Sequence, residues 1–279
     1  MSDIGFVNGR FMPLAEAMVS VEDRGYQFGD GVYEVIRTYG GVPYQLEAHL
    51  ARLVRSASAL EMAQPYGPAE WVRHVNQAIK LAGYRESKIY IQLTRGAAVR
   101  DHAFPASASP TAVMTIREMH PLDPTLAAEG VSAMTLPDLR WGRCDIKTIN
   151  LLPNLLARQQ AKVNGAFEAI LHRADEITEG AVSNVMIVRG GTISTPPENS
   201  WILSGVTRSV VLDLARKNGI GVGERRISLD ELRAADEIFL TGTTVEILSV
   251  VRLDGEAIRS GKPGPLSTHL RALFQASMS

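Results

Sequence analysis

The sequence predicts two α+β domains. Its 279 residues leave room for roughly two domains at about 150 residues each. Helical and strand-like stretches are mixed without strict strand–helix alternation, as α+β layers require. No GxGxxG follows a strand, so the dinucleotide fingerprint of a doubly wound sheet is missing.

Strand-like pieces open the chain at 4–7 and 31–39. A helix is predicted from about Glu47 to Met62, because Leu50, Leu53, Val54, Ala57 and Leu60 recur at helical spacing. Arg52 and Arg55 lie off that stripe. A second helix is predicted from Pro68 to Ala82, with Trp71, Val75, Ala78 and Ile79 on one face and Gly83 as its stop. Residues 88–94 alternate, with Ile89, Ile91 and Leu93 on one side and Tyr90 and Gln92 on the other, which predicts a strand. Residues 111–117 read as another. The two prolines in HPLDPT mark 120–125 as the linker between an N-terminal domain (1–119) and a C-terminal domain (126–279).

The second half resumes with a strand at 131–136, a helix near 152–164, and strands at 167–172 and 182–188. A helix from Thr207 to Asn218 stops at Gly219, and Ser228 with Glu231 has capping-box spacing. Strands near 237–241 and 248–253 close the chain in this reading.

Bulk properties exclude several classes. The formal charge of −1 argues against nucleic acid as a partner. No apolar run approaches the roughly 18 residues that suggest a membrane span. MSDIGFVNGR does not read as a secretory signal. Cys144, the only cysteine, cannot form an internal disulfide, which fits a reducing compartment. HExxH, paired CxxC and GxSxG are all absent, so zinc-protease, zinc-finger and α/β-hydrolase readings lack support. These features suit a cytoplasmic enzyme or a soluble binding protein, without metal.

Five places could carry chemistry. Lysine is scarce, with six against 23 arginines. Lys147 alone sits among apolar neighbours, between Ile146 and Ile149. Burial disfavours an ammonium, which suits an amine that must form a Schiff base; a lysine snorkelling from a strand end has the same pattern. Glu179 in ITEGAVSN is placed in a turn, where a carboxylate could hold a proton on a heterocyclic nitrogen or simply be solvated. LSGVTRSVV enters a helix near Thr207, whose free N–H groups favour phosphate, although Thr207 could equally be an ordinary N-cap. The loop TRGAAVRDHAFP gathers Arg95, Arg100 and His102, either a carboxylate clamp or a surface loop. The turn TGTT at 241–244 offers hydroxyls.

The order of these segments resembles the class IV (fold type IV) pyridoxal-phosphate aminotransferases, most closely the D-amino-acid transaminase branch. The resemblance spans essentially the whole chain. It rests on DRGYQFGDGVYEVIR (23–37), EAHLARL (47–53), TRGAAVRDHAFP (94–105), RCDIKTINLL (143–152), GAFEAILHR (165–173), TEGAVSN (178–184), GVTR (205–208) and TGTTVEI (241–247). It implies a two-domain α+β fold with the active site between the domains. Lys147 is then the catalytic lysine that binds pyridoxal 5′-phosphate and shuttles the α-proton. Glu179 pairs with the pyridine nitrogen. Arg52, Val206, Thr207 and Thr243 hold the phosphate, and Leu203 packs on the ring. Tyr33, Arg100 and His102 trap the substrate carboxylate, the last two reaching over from the neighbouring subunit of a homodimer.

The expected reaction is ping-pong transamination of a D-amino acid such as D-alanine with 2-oxoglutarate, giving a 2-oxo acid and D-glutamate. An (R)-selective amine transaminase or a branched-chain L-amino-acid transaminase on the same fold is the alternative. Ala181 and Val182 depart from the serines that D-transaminases often carry there, which bears on the side-chain pocket.

Overall fold

A computed structural model describes residues 1–278. They form two compact units, Met1–His120 with Ile146–Asn150, and Pro121–Asp145 with the chain from Leu151 onward.

In the first unit, β1 (Ile4–Val7), β2 (Arg10–Pro13), α1 (Arg24–Phe28), β3 (Gly31–Tyr39), β4 (Val42–Pro43), α2 (Leu46–Ala59), α3 (Pro68–Ala82), β5 (Ser87–Thr94) and β6 (Thr111–Glu118) follow in order. The strands make a six-stranded sheet ordered β2-β1-β6-β5-β3-β4, antiparallel throughout. Alternation puts Ile89, Ile91 and Leu93 of β5 into a core with Val32, Leu53 and Trp71. Tyr90 and Gln92, on the other face, are half-buried. The helix α3 begins with Pro68 and ends at the left-handed Gly83 (φ 71°), the Pro-first, Gly-last arrangement expected of these residues.

The segment 146–150 belongs with this first unit although it follows the linker by some twenty residues. Its backbone explains why. Tyr33 N–H donates to Lys147 O at 2.9 Å and Ile149 N–H donates to Gly31 O at 3.1 Å. Thr148 bridges Val32, and Ile146 enters the first core. One bridge has no periodicity, so the sequence division at 120–125 does not capture this return.

The second unit contains α4 (Pro124–Glu129), β7 (Val131–Pro137), α5 (Leu152–Val163), β8 (Glu168–Arg173), β9 (Glu176–Gly180), β10 (Asn184–Arg189), β11 (Thr192–Thr195), α6 (Val206–Lys217), β12 (Val222–Glu224), α7 (Leu229–Arg233), β13 (Glu237–Gly242), β14 (Glu246–Leu253), β15 (Glu256–Ala257) and α8 (Pro265–Ala276). Its nine-stranded sheet runs β12-β11-β10-β13-β14-β7-β8-β9, with β15 beside β14. The pairs β14–β7, β7–β8 and β11–β12 are parallel and the others antiparallel. No helix among the described residues is long and apolar enough to cross a membrane.

Several expectations change. Part of the expected linker is helix: α4 starts at Pro124, capped by Asp123. Glu179 lies on β9 and not in a turn; pairing with β8 overrides the turn-like Glu-Gly composition. The strand expected from Val182 starts at Asn184. The helix expected from Thr207 starts at Val206 with Gly205 as N-cap, so Thr207 lies within the first turn. Ser228 and Glu231 do form a capping box. The chain closes with α8, not with strands. Pro265 followed by Leu266, Leu270, Leu273 and Phe274 carries that helix's signal.

Glu237 of β13 caps α8. Its carboxylate accepts Leu266 N–H at 2.9 Å, Ser267 N–H at 2.8 Å and the Ser267 hydroxyl at 2.7 Å. A negative charge also suits a helix N-terminus. Glu237→Ala leaves the Leu266 and Ser267 N–H groups without their acceptor, and we expect a loss of about 1–3 kcal/mol in urea-induced unfolding. An unchanged unfolding curve would show that the cap is dispensable.

Candidate active site

Residues singled out in the sequence fall on both units, and each half is built around a buried carboxylate. On β3, alternation sends Tyr33 and Glu34 to opposite faces. Glu34 is fully buried and accepts Arg52 Nε at 2.7 Å, Arg52 Nη2 at 2.9 Å and His49 Nδ1 at 2.8 Å. Arg52 is therefore buried too, although it lies off the apolar stripe of α2. The ion pair, not hydropathy, draws it inward. Burial alone would raise the Glu34 pKa, but Arg52 and His49 outweigh it and hold the carboxyl down at about 2. Burial lowers the His49 pKa; Glu34 opposes that shift, while the charges of Arg52 and Lys147 add to it.

Lys147 is half-buried. Its N–H donates to Ser56 Oγ of α2 at 3.1 Å, so both α2 and β3 fix its backbone. Its Nζ lies 4.3 Å from the centroid of the Tyr33 ring and has no carboxylate partner among the described residues. The Tyr33 ring in turn lies 5.6 Å from that of Tyr90.

Arg100 and His102 are exposed, in the loop between β5 and β6. They gather at Phe28: the Arg100 guanidinium lies 4.7 Å over its ring and the His102 ring 5.5 Å from it. Arg24 braces this shelf by donating to Asp101 O at 2.6 Å and Ala103 O at 3.3 Å. Asp30 joins Arg24 to Arg95, each at 2.8 Å. Burial raises the Asp30 pKa, yet the two arginines bring the net shift below the usual carboxylate value. Neither Arg100 nor His102 has a hydrogen bond or ion pair of its own among the described residues.

In the second unit, Glu179 is buried and held on both oxygens. Oε2 accepts the Leu203 N–H at 3.0 Å and Asn184 Nδ2 at 2.9 Å. Oε1 accepts Arg140 Nη1. Asn184 also donates to Leu203 O at 2.9 Å and sits opposite Thr241 in the β10–β13 register. A Cβ on Gly205 would collide with Asn184 Oδ1, so glycine there lets the amide rest against the start of α6. Asn184 thus ties Glu179, Leu203, the α6 N-terminus and β13 together. No side chain caps α6, which leaves the first-turn N–H groups of Val206 and Thr207 available to an anion. Thr243 is half-buried in the turn after β13, and the buried hydroxyl of Thr241 has no partner.

The sequence reading missed Glu34, His49, Arg140 and Asn184 as site residues. Asn184 lay within TEGAVSN and Glu34 beside Tyr33, but nothing in spacing marked Arg140.

The class IV amino-transferase family model matches residues 31–253. The chain is 42% identical over 271 residues to a D-alanine aminotransferase of Bacillus licheniformis, covering 97% of this chain and 95% of the relative. Its fold matches the branched-chain amino acid aminotransferase of Escherichia coli with a TM-score of 0.94 at 27% identity, covering 100% of this chain and 95% of that one. It also matches a branched-chain amino acid aminotransferase from T.th., solved with pyridoxamine 5′-phosphate, with a TM-score of 0.92 at 28% identity, covering 100% and 94%.

The Glu34 pair generates a test with a defined sign. A carboxyl held at about 2 stabilises the fold at pH values above the ordinary glutamate pKa and loses that contribution as pH falls toward about 2. Glu34→Gln should cost about 3 kcal/mol in unfolding experiments at neutral pH. The gap to the unsubstituted protein should shrink steadily from about pH 4.5 downward. A pH-independent gap would show that packing, not charge, holds this cluster.

With the buried carboxylates, the anion-ready helix and the family model in agreement, the chain belongs to the class IV aminotransferases.

Proposed function

We propose that this enzyme is a pyridoxal-phosphate transaminase of D-amino acids, taking D-alanine and similar donors and passing the amine to 2-oxoglutarate. The observation that carries it is the Lys147 amine, positioned over the Tyr33 ring without a carboxylate partner. An amine free of an ion pair is ready to react. Likeness to the B. licheniformis D-alanine aminotransferase supports the choice of substrate.

The residues present fit the cofactor. The uncapped start of α6 and the unpartnered Thr241 hydroxyl suit a phosphate, together with Val206, Thr207, Thr243 and Arg52. Glu179, anchored on both oxygens, suits a protonated ring nitrogen. Leu203, fixed at its own N–H and C=O, suits a ring face. When bound, pyridoxal phosphate supplies an aldehyde for amine exchange and a ring that takes up the electrons of the α-carbon.

The chain's own residues do the rest. Lys147 Nζ would take the α-proton of the substrate as general base. Tyr33, Arg100 and His102 hold the substrate carboxylate, and that hold fixes which face of the α-carbon meets Lys147. Arg100 and His102 are exposed and stacked on Phe28, so we assign them to the site of a second copy, making the enzyme a homodimer. The exposed leucines of α5 (Leu152, Leu155 and Leu156) fit such an assembly. A cytoplasmic setting belongs to the same proposal, with the unpaired Cys144 in its support.

The branched-chain L-transaminase reading is favoured by the fold match to the E. coli enzyme. The higher sequence likeness to the D-alanine enzyme, over nearly as much of the chain, outweighs it. Purified enzyme should form pyruvate from D-alanine and 2-oxoglutarate and react little with L-leucine or an (R)-arylamine. Turnover of either alternative donor without D-alanine activity would overturn the substrate assignment. Lys147→Ala should abolish turnover, and near-normal rates would sink the mechanism. Mixing inactive Lys147→Ala and Arg100→Ala subunits should restore about one quarter of full activity, through hybrid dimers with one intact site. No recovery after subunit exchange would place Arg100 in its own subunit's site.

A further inference from the structure

Arg140 compensates Glu179, but most of its guanidinium is turned the other way. Its Nε and Nη2 donate to the two oxygens of Asp138, each at 2.9 Å, and its own N–H donates to Asp138 at 3.0 Å. Nη2 also reaches Trp201 O at 3.0 Å. Only Nη1 goes to Glu179.

Asp138, just beyond β7, has a fully buried side chain. Besides Arg140 it accepts the Thr178 hydroxyl at 3.0 Å and Arg173 Nε at 3.2 Å. Thr178 is the neighbour of Glu179 on β9, so both carboxylates are tied to one strand. Arg173 is partly exposed and lies 3.7 Å over the Trp201 ring. The thiol of Cys144 is the remaining titratable neighbour in this unit; burial, opposed by Arg140, pushes it up to about 11, so it stays neutral. Two carboxylates and two guanidiniums therefore share one cluster, in which only the Arg173 side chain reaches solvent.

We propose that Asp138 is a positioning residue that divides the charge of Arg140, so that Glu179 keeps enough negative charge to hold the proton on the cofactor's ring nitrogen. The fork of an arginine fits a carboxylate with two parallel bonds. Asp138 takes that bidentate geometry for itself, and Arg140 meets Glu179 through Nη1. Without the Asp138 charge, Arg140 is free to grip Glu179 with both arms, and its full charge acts on that carboxylate. Arg173 works in the opposite sense, because it draws on Asp138 from the other side. This inference rests on the assignment of Glu179 to the ring nitrogen.

The test uses holoenzyme carrying pyridoxal phosphate labelled with ¹⁵N at the ring nitrogen. The pH at which the ring nitrogen loses its proton is read by NMR, and cofactor affinity by fluorescence. Asp138→Asn should lower that pH and weaken affinity about tenfold, a loss typical of groups that orient a ligand's direct partners. Arg173→Gln, at a partly exposed site, should raise the same pH. A merely structural role predicts no such opposite signs. In an Arg140→Gln background, Asp138→Asn should have no further effect on the titration.

Titrations that do not move, or that move the same way in both single variants, overturn the proposal. If Asp138→Asn fails to fold, the sign of the Arg173→Gln shift decides. Glu179→Gln serves as the control: if it leaves the ring-nitrogen titration unchanged, the assignment of Glu179 fails, and not the role of Asp138.

Discussion

A carboxylate removed from water must be met by donors, and that requirement organises both units of this protein. Burying an ionised group without compensation costs far more than any single contact returns. Glu34 is met by Arg52 and His49, which draws the polar side of α2 against β3. Glu179 is met by Arg140, Asn184 and the backbone of Leu203, which fixes the segment leading into α6. In each case the donors are side chains or N–H groups that the proposed cofactor site uses. The charge compensation that stabilises the fold and the geometry that prepares the site are the same bonds.

The two carboxylates also show two kinds of order. Around Glu34 both partners, Arg52 and His49, come from one adjacent element, α2. Around Glu179 they come from distant segments, since Arg140, Asn184 and Leu203 lie in three separate stretches of the chain. Asn184 makes this possible by satisfying Glu179 and Leu203 with one amide while resting against Gly205. A larger residue at 205 or a shorter one at 184 breaks the junction at several points together.

Much of this was legible in the sequence, for stated physical reasons. The strand β5 announces itself by strict alternation of Ile89, Ile91 and Leu93 with polar partners, and α3 by its apolar stripe between Pro68 and Gly83. The lysine Lys147 stood out because five other lysines lie in polar surroundings. What was hidden depends on pairing between remote segments. The strand around Glu179 has no alternation of its own and exists because β8 pairs with it. Arg52 is polar and off the stripe, so hydropathy points it outward, while Glu34 holds it inside. Arg140 sits in LRWGRC, where no local pattern separates it from Arg143, which pairs only with its neighbour Asp145 at the surface. Helix α8 is legible from Pro265 and the leucines after it.

The return of residues 146–150 to β3 has a consequence for how the chain is made. Synthesis proceeds from the N-terminus, and domains fold as their residues become available. The first sheet has all its strands by Glu118, yet the partner for the Tyr33 N–H and the Gly31 carbonyl arrives only with Lys147 and Ile149. The ribosome must therefore release a stretch of the second unit before the first is complete. The lysine assigned to the chemistry is among the last pieces to join the unit that holds it, so a nascent chain interrupted at the linker carries the sheet but not the reactive amine.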